Sequence, residues 1–235
     1  MAQTIDTVLQ DEELTLRWLP GASSRLVVVF TGMKEGFGGQ PLDEFAGSAS
    51  LKGENNVLFV TDRRATWFAA PGLWRRTVRM IRYLRKSEGI REIVSLGNSM
   101  GGYAALLLPR DLRVARAIAF APQITMDRGL LDDRRWPDIQ KRWGVLPVRS
   151  IDETIESTRT QYYVSAGGNC PEDVAHLDLL APHKRVHRFV LRNGRHNMAR
   201  SLKDRGILSD VITAIIRGRK ARVDAIYRRV AEAMV

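Results

Sequence analysis

The stretch Glu92–Leu108 constrains the fold of this chain more than any other. Its first part, Glu92–Leu96, is rich in apolar and β-branched residues, which is typical of a buried strand. Gly97–Gly101 follows and spells G-x-S-x-G, and Tyr103–Leu108 is an apolar helix start. A strand, a tight turn and a helix in this order predict a sharp turn that exposes the side chain of Ser99.

The glycines of this motif have a steric explanation. In a turn this sharp, the positions on either side of the serine lie against the strand or the helix, where a Cβ atom would clash. Gly102 gives further room where the helix begins. The competing interpretation is a glycine-rich turn with an incidental serine. A strand before the motif and a helix after it favour an exposed, reactive serine.

On this motif and its context, the chain resembles the α/β-hydrolase superfamily. The resemblance covers roughly Arg25 to Asp204. It implies an α/β-hydrolase fold, with a mostly parallel sheet flanked by helices and a small or minimal lid. We expect a single domain over residues 1–235, in which the polar residues 123–158 form a short lid-like excursion.

Other apolar segments fit such a sheet. Leu26–Phe30 is apolar at every position, which is typical of a strand buried on both faces. Further strands are predicted at 14–19, 57–60, 117–120, 162–166 and 186–191, and helices at 71–86, 151–157, 172–180 and 207–216. Strands that alternate with helices indicate a parallel sheet, whose ligands bind at the carboxyl ends of the strands. Just past such ends lie Met33, Asp62, Ser99, Gln123, Asp173 and His196.

A serine nucleophile needs a base to take its proton. In the superfamily the order along the chain is serine, acid, histidine, with the histidine in the loop after the last strand. The resemblance therefore implies Ser99 as nucleophile and His196 as base. His176, His183 and His187 are weaker candidates because they lie in or after a helix, or within a strand. The competing interpretation of His196 is a polar loop residue.

The acidic member of the site is less clearly defined by the sequence. The superfamily usually places it about three residues beyond the glycine that ends the penultimate long strand, and here that position is Cys170. A thiol cannot orient and stabilise the histidine as a carboxylate does. Asp173 is the best substitute, Glu172 is next, and Asp127 follows the preceding strand. The absence of any acid also remains open.

Acyl transfer also needs hydrogen-bond donors for the oxyanion. The resemblance implies the backbone N–H groups of Met33 and Met100, where Thr31-Gly32 replaces the His-Gly of many relatives. The glycine-rich loop 32–39 matches no nucleotide-binding motif, and the histidines lack partners at metal-ligand spacing. The sequence therefore predicts neither a cofactor nor a metal.

The charge of the chain favours anionic partners. A net charge of +11 arises from 37 Lys and Arg against 26 Asp and Glu. Nucleic acid is disfavoured because no recognised nucleic-acid-binding motif accompanies this charge. The predicted partner is a small-molecule, glycan or lipid acyl substrate, which the charge would suit if it is anionic.

The cellular location is predicted from three features that the sequence lacks: a membrane span, a signal peptide and a pair of cysteines. It has no apolar run of the roughly 18–20 residues that a membrane span needs. Residues 1–13 are polar and acidic, unlike a signal peptide, and Cys170 has no second cysteine for an intramolecular disulfide. We expect a cytoplasmic protein.

Residues 219–234 predict an extra basic amphipathic helix, with Val223, Ile226, Tyr227 and Val230 on one face. In one interpretation, this apolar face packs on the domain. In the other, the helix docks on a second subunit, which would give a homo-oligomer, or on an anionic surface. Because the predicted sheet is complete without these residues, we expect them to be dispensable for folding.

Together these features predict a serine hydrolase that cleaves an ester, thioester or related acyl bond through a Ser99 acyl-enzyme. An acyltransferase with the same nucleophile is the alternative enzyme. A hydrolase-like binding scaffold without turnover is the non-enzymatic alternative, and the displaced acid favours it. Trp67, Phe68, Trp136 and Trp143 are expected to line the pocket or to pack the excursion.

Overall fold

The computed structural model describes residues 4–33, 43–136 and 145–232. Its strands are β1 (Asp6–Gln10), β2 (Leu14–Leu19), β3 (Arg25–Phe30), β4 (Asn56–Asp62), β5 (Glu92–Asn98), β6 (Arg116–Phe120), β7 (Gln161–Gly167) and β8 (Val186–Leu191). They form one eight-stranded sheet in the order β1-β2-β4-β3-β5-β6-β7-β8. β2 pairs antiparallel with β1 and β4, and every pairing from β4 to β8 is parallel. The sheet is therefore mostly parallel, as predicted.

Helices connect the strands and cover both faces of the sheet. They are α1 (Ala46–Ser50), α2 (Leu73–Ser87), α3 (Met100–Leu107), α4 (Asp152–Ile155), α5 (Pro171–Asp178), α6 (Met198–Asp204), α7 (Leu208–Ile216) and α8 (Lys220–Glu232). A 3₁₀ turn, Leu108–Arg110, contains Pro109 and ends α3. The predicted helices at 71–86, 151–157, 172–180 and 207–216 are present as α2, α4, α5 and α7, with shifted bounds.

The hydrophobic core has two layers, one on each face of the sheet. Alternate residues of β3 enter different layers, with Val28 and Phe30 on the side of α2 and α3. Val27 and Val29 lie on the side of α1, α6, α7 and α8. Because both faces are covered, β3 has no solvent-facing position to fill with a polar residue, which explains its continuous apolar run.

The predicted strands are all present, and β2 and β8 have the predicted bounds. The sequence did not reveal β1, α1 and α6. Side chains of β1 are largely exposed at the sheet edge, so no apolar alternation marks it. The five residues of α1, Ala-Gly-Ser-Ala-Ser, are too few and too small to show a helical period.

The basic helix α8 packs on the sheet, as the first interpretation of it held. Val223, Ile226 and Tyr227 are buried in the core layer beside α7. The Tyr227 hydroxyl lies 2.6 Å from Ser165 Oγ of β7, and its ring stacks on Phe189 of β8 at 4.2 Å between centroids. The expectation that the fold is complete without this helix does not fit these contacts, since α8 covers the end of the sheet formed by β7 and β8.

The excursion 123–158 is only partly described. Its base joins the core through Ile124 and Ile151, and a single bridge pairs Thr125 with Ser150. Residues 137–144, including Trp143, lie outside the described residues, as does most of the glycine-rich loop 32–39. Among the described helices, none has the length and apolar character to cross a membrane.

Candidate active site

Ser99 occupies a strained turn between β5 and α3. Its backbone has φ 55° and ψ −123°, a conformation that residues with a Cβ rarely adopt. A Cβ at Gly97 would lie 2.2 Å from the backbone of Gly101, and one at Gly101 would lie 2.1 Å from the carbonyl oxygen of Phe30. Strand, serine and helix therefore approach so closely that only glycine fits at either side, which is the steric reason inferred from the motif.

His196 lies beside this serine. Its Nε2 is 3.1 Å from Ser99 Oγ, and the two residues are 97 positions apart in the chain. The histidine belongs to the loop between β8 and α6, and Asn197 caps α6 by accepting a hydrogen bond from the Arg200 N–H. The Ser99 residue is 7% exposed and the His196 side chain 33% exposed, so the pair is within reach of a bound molecule.

Asp173 completes a hydrogen-bonded chain. It lies in the first turn of α5, is buried, and has both carboxylate oxygens 2.9 Å from His196 Nδ1. Glu172 is exposed beside Cys170, and Asp127 pairs with Arg149 at 2.6 Å on the excursion. Of the three acids considered from the sequence, the structure brings Asp173 to His196.

Two residues that the sequence did not single out, Asp133 and Arg135, extend this chain. Arg135 Nη1 lies 2.9 Å from Asp173 Oδ1 and 3.3 Å from His196 Nδ1. The Nε and Nη2 of the same guanidinium bind the carboxylate of Asp133, with Nη2 at 2.6 Å. Arg135 therefore ties the excursion to the acid of the site. Its position among other arginines of a polar segment gave no sequence signal.

His176 anchors the far end of this network. Its Nδ1 accepts a hydrogen bond from the Ile124 N–H at 3.2 Å, so its Nε2 carries the hydrogen that it donates to Asp133 at 3.0 Å. Burial lowers the pKa of His176, only partly offset by Asp133. A neutral, fully buried histidine with both nitrogens engaged has a structural role here.

The backbone donors expected for the oxyanion belong to residues that follow the neighbouring strands β3 and β5. Met100 is the first residue of α3, where the N–H has no partner within the helix. Met33 follows the end of β3 and is 39% exposed. Before it, the Gly32 N–H donates to the Glu44 carboxylate at 3.0 Å, which fixes the strand end that leads into Met33.

Comparisons with known proteins agree with this architecture. No family model matches the chain, and a search of curated protein sequences finds no relative. Among solved structures, Est1E from Butyrivibrio proteoclasticus aligns with a TM-score of 0.64 and 11% identity, over 94% of this chain and 100% of that one. The chain has an α/β-hydrolase fold.

Two further similar structures with this α/β-hydrolase fold belong to proteins with different activities. An esterase of Pyrococcus furiosus aligns with a TM-score of 0.61 and 15% identity, over 92% of this chain and 91% of its own. The capsule O-acetyltransferase of Neisseria meningitidis serogroup A aligns with a TM-score of 0.63 and 14% identity, over 86% of this chain and 92% of its own. At these identities the similarity establishes the fold.

Aromatic residues form one wall beside the histidine of this α/β-hydrolase fold. The Trp136 ring lies 6.5 Å from His196 and 5.2 Å from the buried ring of Trp67. Trp67 donates its indole N–H to Gln123 at 3.1 Å. Phe68 instead packs against Phe30 in the core. Of the expected lining residues that the structure describes, Trp136 is therefore the one next to the site.

Asp62, another polar residue past a strand end, has a structural role. Its carboxylate accepts hydrogen bonds from the backbone N–H groups of Arg64, Thr66 and Phe68 and from the Thr66 hydroxyl. These bonds fix the loop that presents Trp67. Asp62 therefore shapes the aromatic wall without joining the Ser99 network.

The charges around Asp173 keep it ionised. Burial raises the pKa of Asp173, but the hydrogen bonds and charges of His196 and Arg135 outweigh burial, and the pKa lies below its ordinary value. Burial together with the nearby Asp173 charge raises the pKa of Cys170 to about 11. The thiol is therefore protonated at neutral pH, which does not suit a nucleophile.

Ligand atoms of Cys170, Asp173 and His196 lie within 4.8 Å of one another, a spacing that metal sites show. Arg135 Nη1 lies within 3.4 Å of an atom of each of these groups. A fixed guanidinium among the three groups repels a cation, so the arrangement does not fit a metal ion.

Proposed function

We propose that this protein is a serine hydrolase of acyl bonds, with Ser99 as nucleophile, His196 as general base and Asp173 as the acid that orients His196. Support comes above all from the two hydrogen bonds that join the three side chains, 3.1 Å from serine to histidine and 2.9 Å from histidine to aspartate. The strained backbone of Ser99 adds to it, since such a turn exposes a hydroxyl at the end of a sheet.

The proposed reaction proceeds in two halves. His196 Nε2 takes the hydroxyl proton as Ser99 Oγ attacks the acyl carbonyl carbon, and the N–H groups of Met33 and Met100 bind the oxyanion. The imidazolium then gives this proton to the leaving group, and an acyl-Ser99 ester remains. In the second half water attacks this ester, His196 again takes and returns a proton, and the carboxylic acid is released.

Asp173 serves this proposal by holding one tautomer of His196. With Nδ1–H donated to Asp173, the unprotonated Nε2 faces Ser99 and is ready to accept its proton. The displacement of the acid from position 170 to 173, which favoured an inactive scaffold, is compensated because α5 starts at Pro171 and turns Asp173 inward. An acid at position 173 therefore does not favour a scaffold without turnover.

Acyl transfer to an acceptor other than water is the second candidate. It is favoured by the similarity to the capsule O-acetyltransferase, which has the same fold. The exposure of His196 also lets an acceptor hydroxyl approach the base. The two activities share the first half-reaction and differ in the molecule that His196 deprotonates in the second.

The proposal is tested with Ser99→Ala and a short-chain aryl ester. We expect hydrolysis and labelling by a fluorophosphonate to be lost while the fold remains, because the serine hydroxyl contributes little to the core. Ser95→Ala is the matched control: this hydroxyl of the same strand binds the Ala105 carbonyl at 2.7 Å, remote from the reaction. Ester hydrolysis by purified Ser99→Ala protein at the native rate would refute the assignment.

Product analysis separates the two candidate activities. The native enzyme is acylated with the aryl ester in the presence of a simple alcohol or a sugar, and the free acid and the new ester are quantified. Free acid as the main product supports hydrolysis. A new ester that dominates at low acceptor concentration supports acyl transfer.

A further inference from the structure

A second cavity lies at the opposite end of the sheet from Ser99. It has a volume of about 800 Å³ and opens at the amino-terminal ends of β5, β6 and β7. The length of β5, Glu92–Asn98, separates it from the serine, and seven residues of strand span about 23 Å. A small molecule in this cavity therefore does not reach the proposed catalytic residues.

The cavity is lined by an arginine from each of three neighbouring turns. Arg91 leads into β5, Arg113 precedes β6 and Arg159 precedes β7. These strands are adjacent and parallel in the sheet. Since adjacent strands lie about 4.8 Å apart, the first residues of β5, β6 and β7 form a row about 10 Å long, and each arginine lies one to three residues before its strand.

The acidic residues of the same cavity are already engaged by other groups. The Glu92 carboxylate binds Arg25 at 2.5 Å and Arg116 at 3.2 Å. Asp111 binds Arg110 at 2.9 Å and accepts the Trp74 indole N–H at 2.8 Å.

The three arginines of the row, in contrast, are exposed. Arg91, Arg113 and Arg159 form no ion pair or side-chain hydrogen bond within the part of the chain that the structure describes. Among the described residues, these three positive charges therefore have no paired counter-charge.

We propose that this cavity binds an anion that carries several phosphate groups. The planar guanidinium of arginine matches phosphate oxygens with paired hydrogen bonds, and three positive side chains that line one cavity attract a multivalent anion more strongly than a single phosphate. The volume is that of a small-molecule site. None of the described residues that line it is aromatic, so the cavity lacks the stacking surface that nucleic-acid bases use.

Calorimetric titration with sodium tripolyphosphate tests this site. We expect saturable binding to the native protein, much weaker binding of orthophosphate, and a loss of about tenfold or more in affinity for tripolyphosphate in R91Q/R113Q/R159Q. The control is R219Q/R222Q/R229Q, which removes from the region of α8 three exposed arginines that form no ion pair with any described residue. Its affinity should stay within about twofold of native, since these residues are not among those lining the cavity.

Folding and phosphate source are controlled in the same experiment. Hydrolysis of an aryl ester should be unchanged in both triple variants, because none of the six residues lies in the proposed catalytic site. Vesicles that contain a polyphosphorylated inositol lipid distinguish the source of the phosphates. If R91Q/R113Q/R159Q loses vesicle binding and the control variant retains it, the phosphates belong to a lipid headgroup. If R91Q/R113Q/R159Q loses only its binding of tripolyphosphate, they belong to a free ligand.

Two results would overturn the proposal. One is an equal loss of affinity in the two triple variants, which would attribute binding to the total charge. The other is the absence of saturable tripolyphosphate binding to the native protein.

Discussion

The choice between Glu172 and Asp173 depends on the phase of one short helix. Pro171 is the first residue of α5, and successive helical residues point about 100° apart. Asp173 therefore faces the protein interior and Glu172 faces solvent. The sequence narrowed the acid to neighbouring positions but could not fix this phase, because it depends on where the helix begins.

We expect Asp173→Asn to lower kcat by several orders of magnitude and Glu172→Gln to stay near native. An amide at position 173 favours the wrong tautomer of His196 and does not stabilise the imidazolium. Aryl ester kinetics on the two purified variants measure this. If Glu172→Gln is the impaired variant, the proposed acid is incorrect.

Arg135→Gln probes the positive charge beside the proposed acid and base. Asp133 and Asp173 face this guanidinium from the excursion and from α5, together with the Cys170 thiol and His196. Without it, the excursion loses its link to Asp173, and the carboxylate that orients His196 is held less firmly. We expect kcat at neutral pH to fall about tenfold.

Arg134→Gln is the control for this variant, because the neighbouring Arg134 side chain is 79% exposed and pairs only with Asp132 among the described residues. The kcat of Arg134→Gln should equal that of the native protein. A native kcat for Arg135→Gln would show that this guanidinium does not position Asp173.

Among the strands and helices, the sequence predicted the ones whose side chains are buried at every position or at a regular spacing. β3 could be predicted because apolar residues fill almost every one of its positions, and α7 because apolar residues fill one helical face. β1 and α1 lack such a pattern, and their positions depend on neighbouring strands and helices. The contact of Arg135 with Asp173 joins residues 38 positions apart, so no local pattern encodes it.

The contacts of α8 lead to a prediction that replaces the expected dispensability of this helix. Tyr227→Phe leaves the buried Ser165 hydroxyl without its partner and should lower the free energy of unfolding by about 1–3 kcal/mol. Tyr83→Phe, at a residue 65% exposed on α2, should change it little. Urea unfolding followed by circular dichroism measures both. Equal stability of the two variants would argue that α8 is loosely attached.

For the whole molecule, Asp133 and Asp173 connect stability to pH. Burial raises the pKa of Asp133, but hydrogen bonds from Arg135 and His176 outweigh burial and hold this pKa well below the ordinary 3.8. The pKa of Asp173 is lowered in the same manner. A carboxyl with a lowered folded-state pKa stabilises the fold above its unfolded value, and this contribution is lost as pH falls through the folded value.

We therefore expect Asp133→Asn to be less stable than native by about 2–4 kcal/mol at neutral pH, with the difference shrinking as pH falls below about 4. Urea unfolding at several pH values measures it, and the exposed Glu156→Gln serves as control. A difference that stays constant down to acidic pH would show that the ionised pair is not its cause.

The proposed catalytic residues follow the ends of three separate strands, β5, β7 and β8, and β8 is one of the two edge strands of the sheet. Ser99 emerges during synthesis 97 residues before His196, and its base arrives only when β8 has docked. Contacts this distant in sequence form late in folding. A growing chain therefore carries the proposed nucleophile before the proposed base has reached it, so the activity proposed for Ser99 would begin only once the sheet is complete.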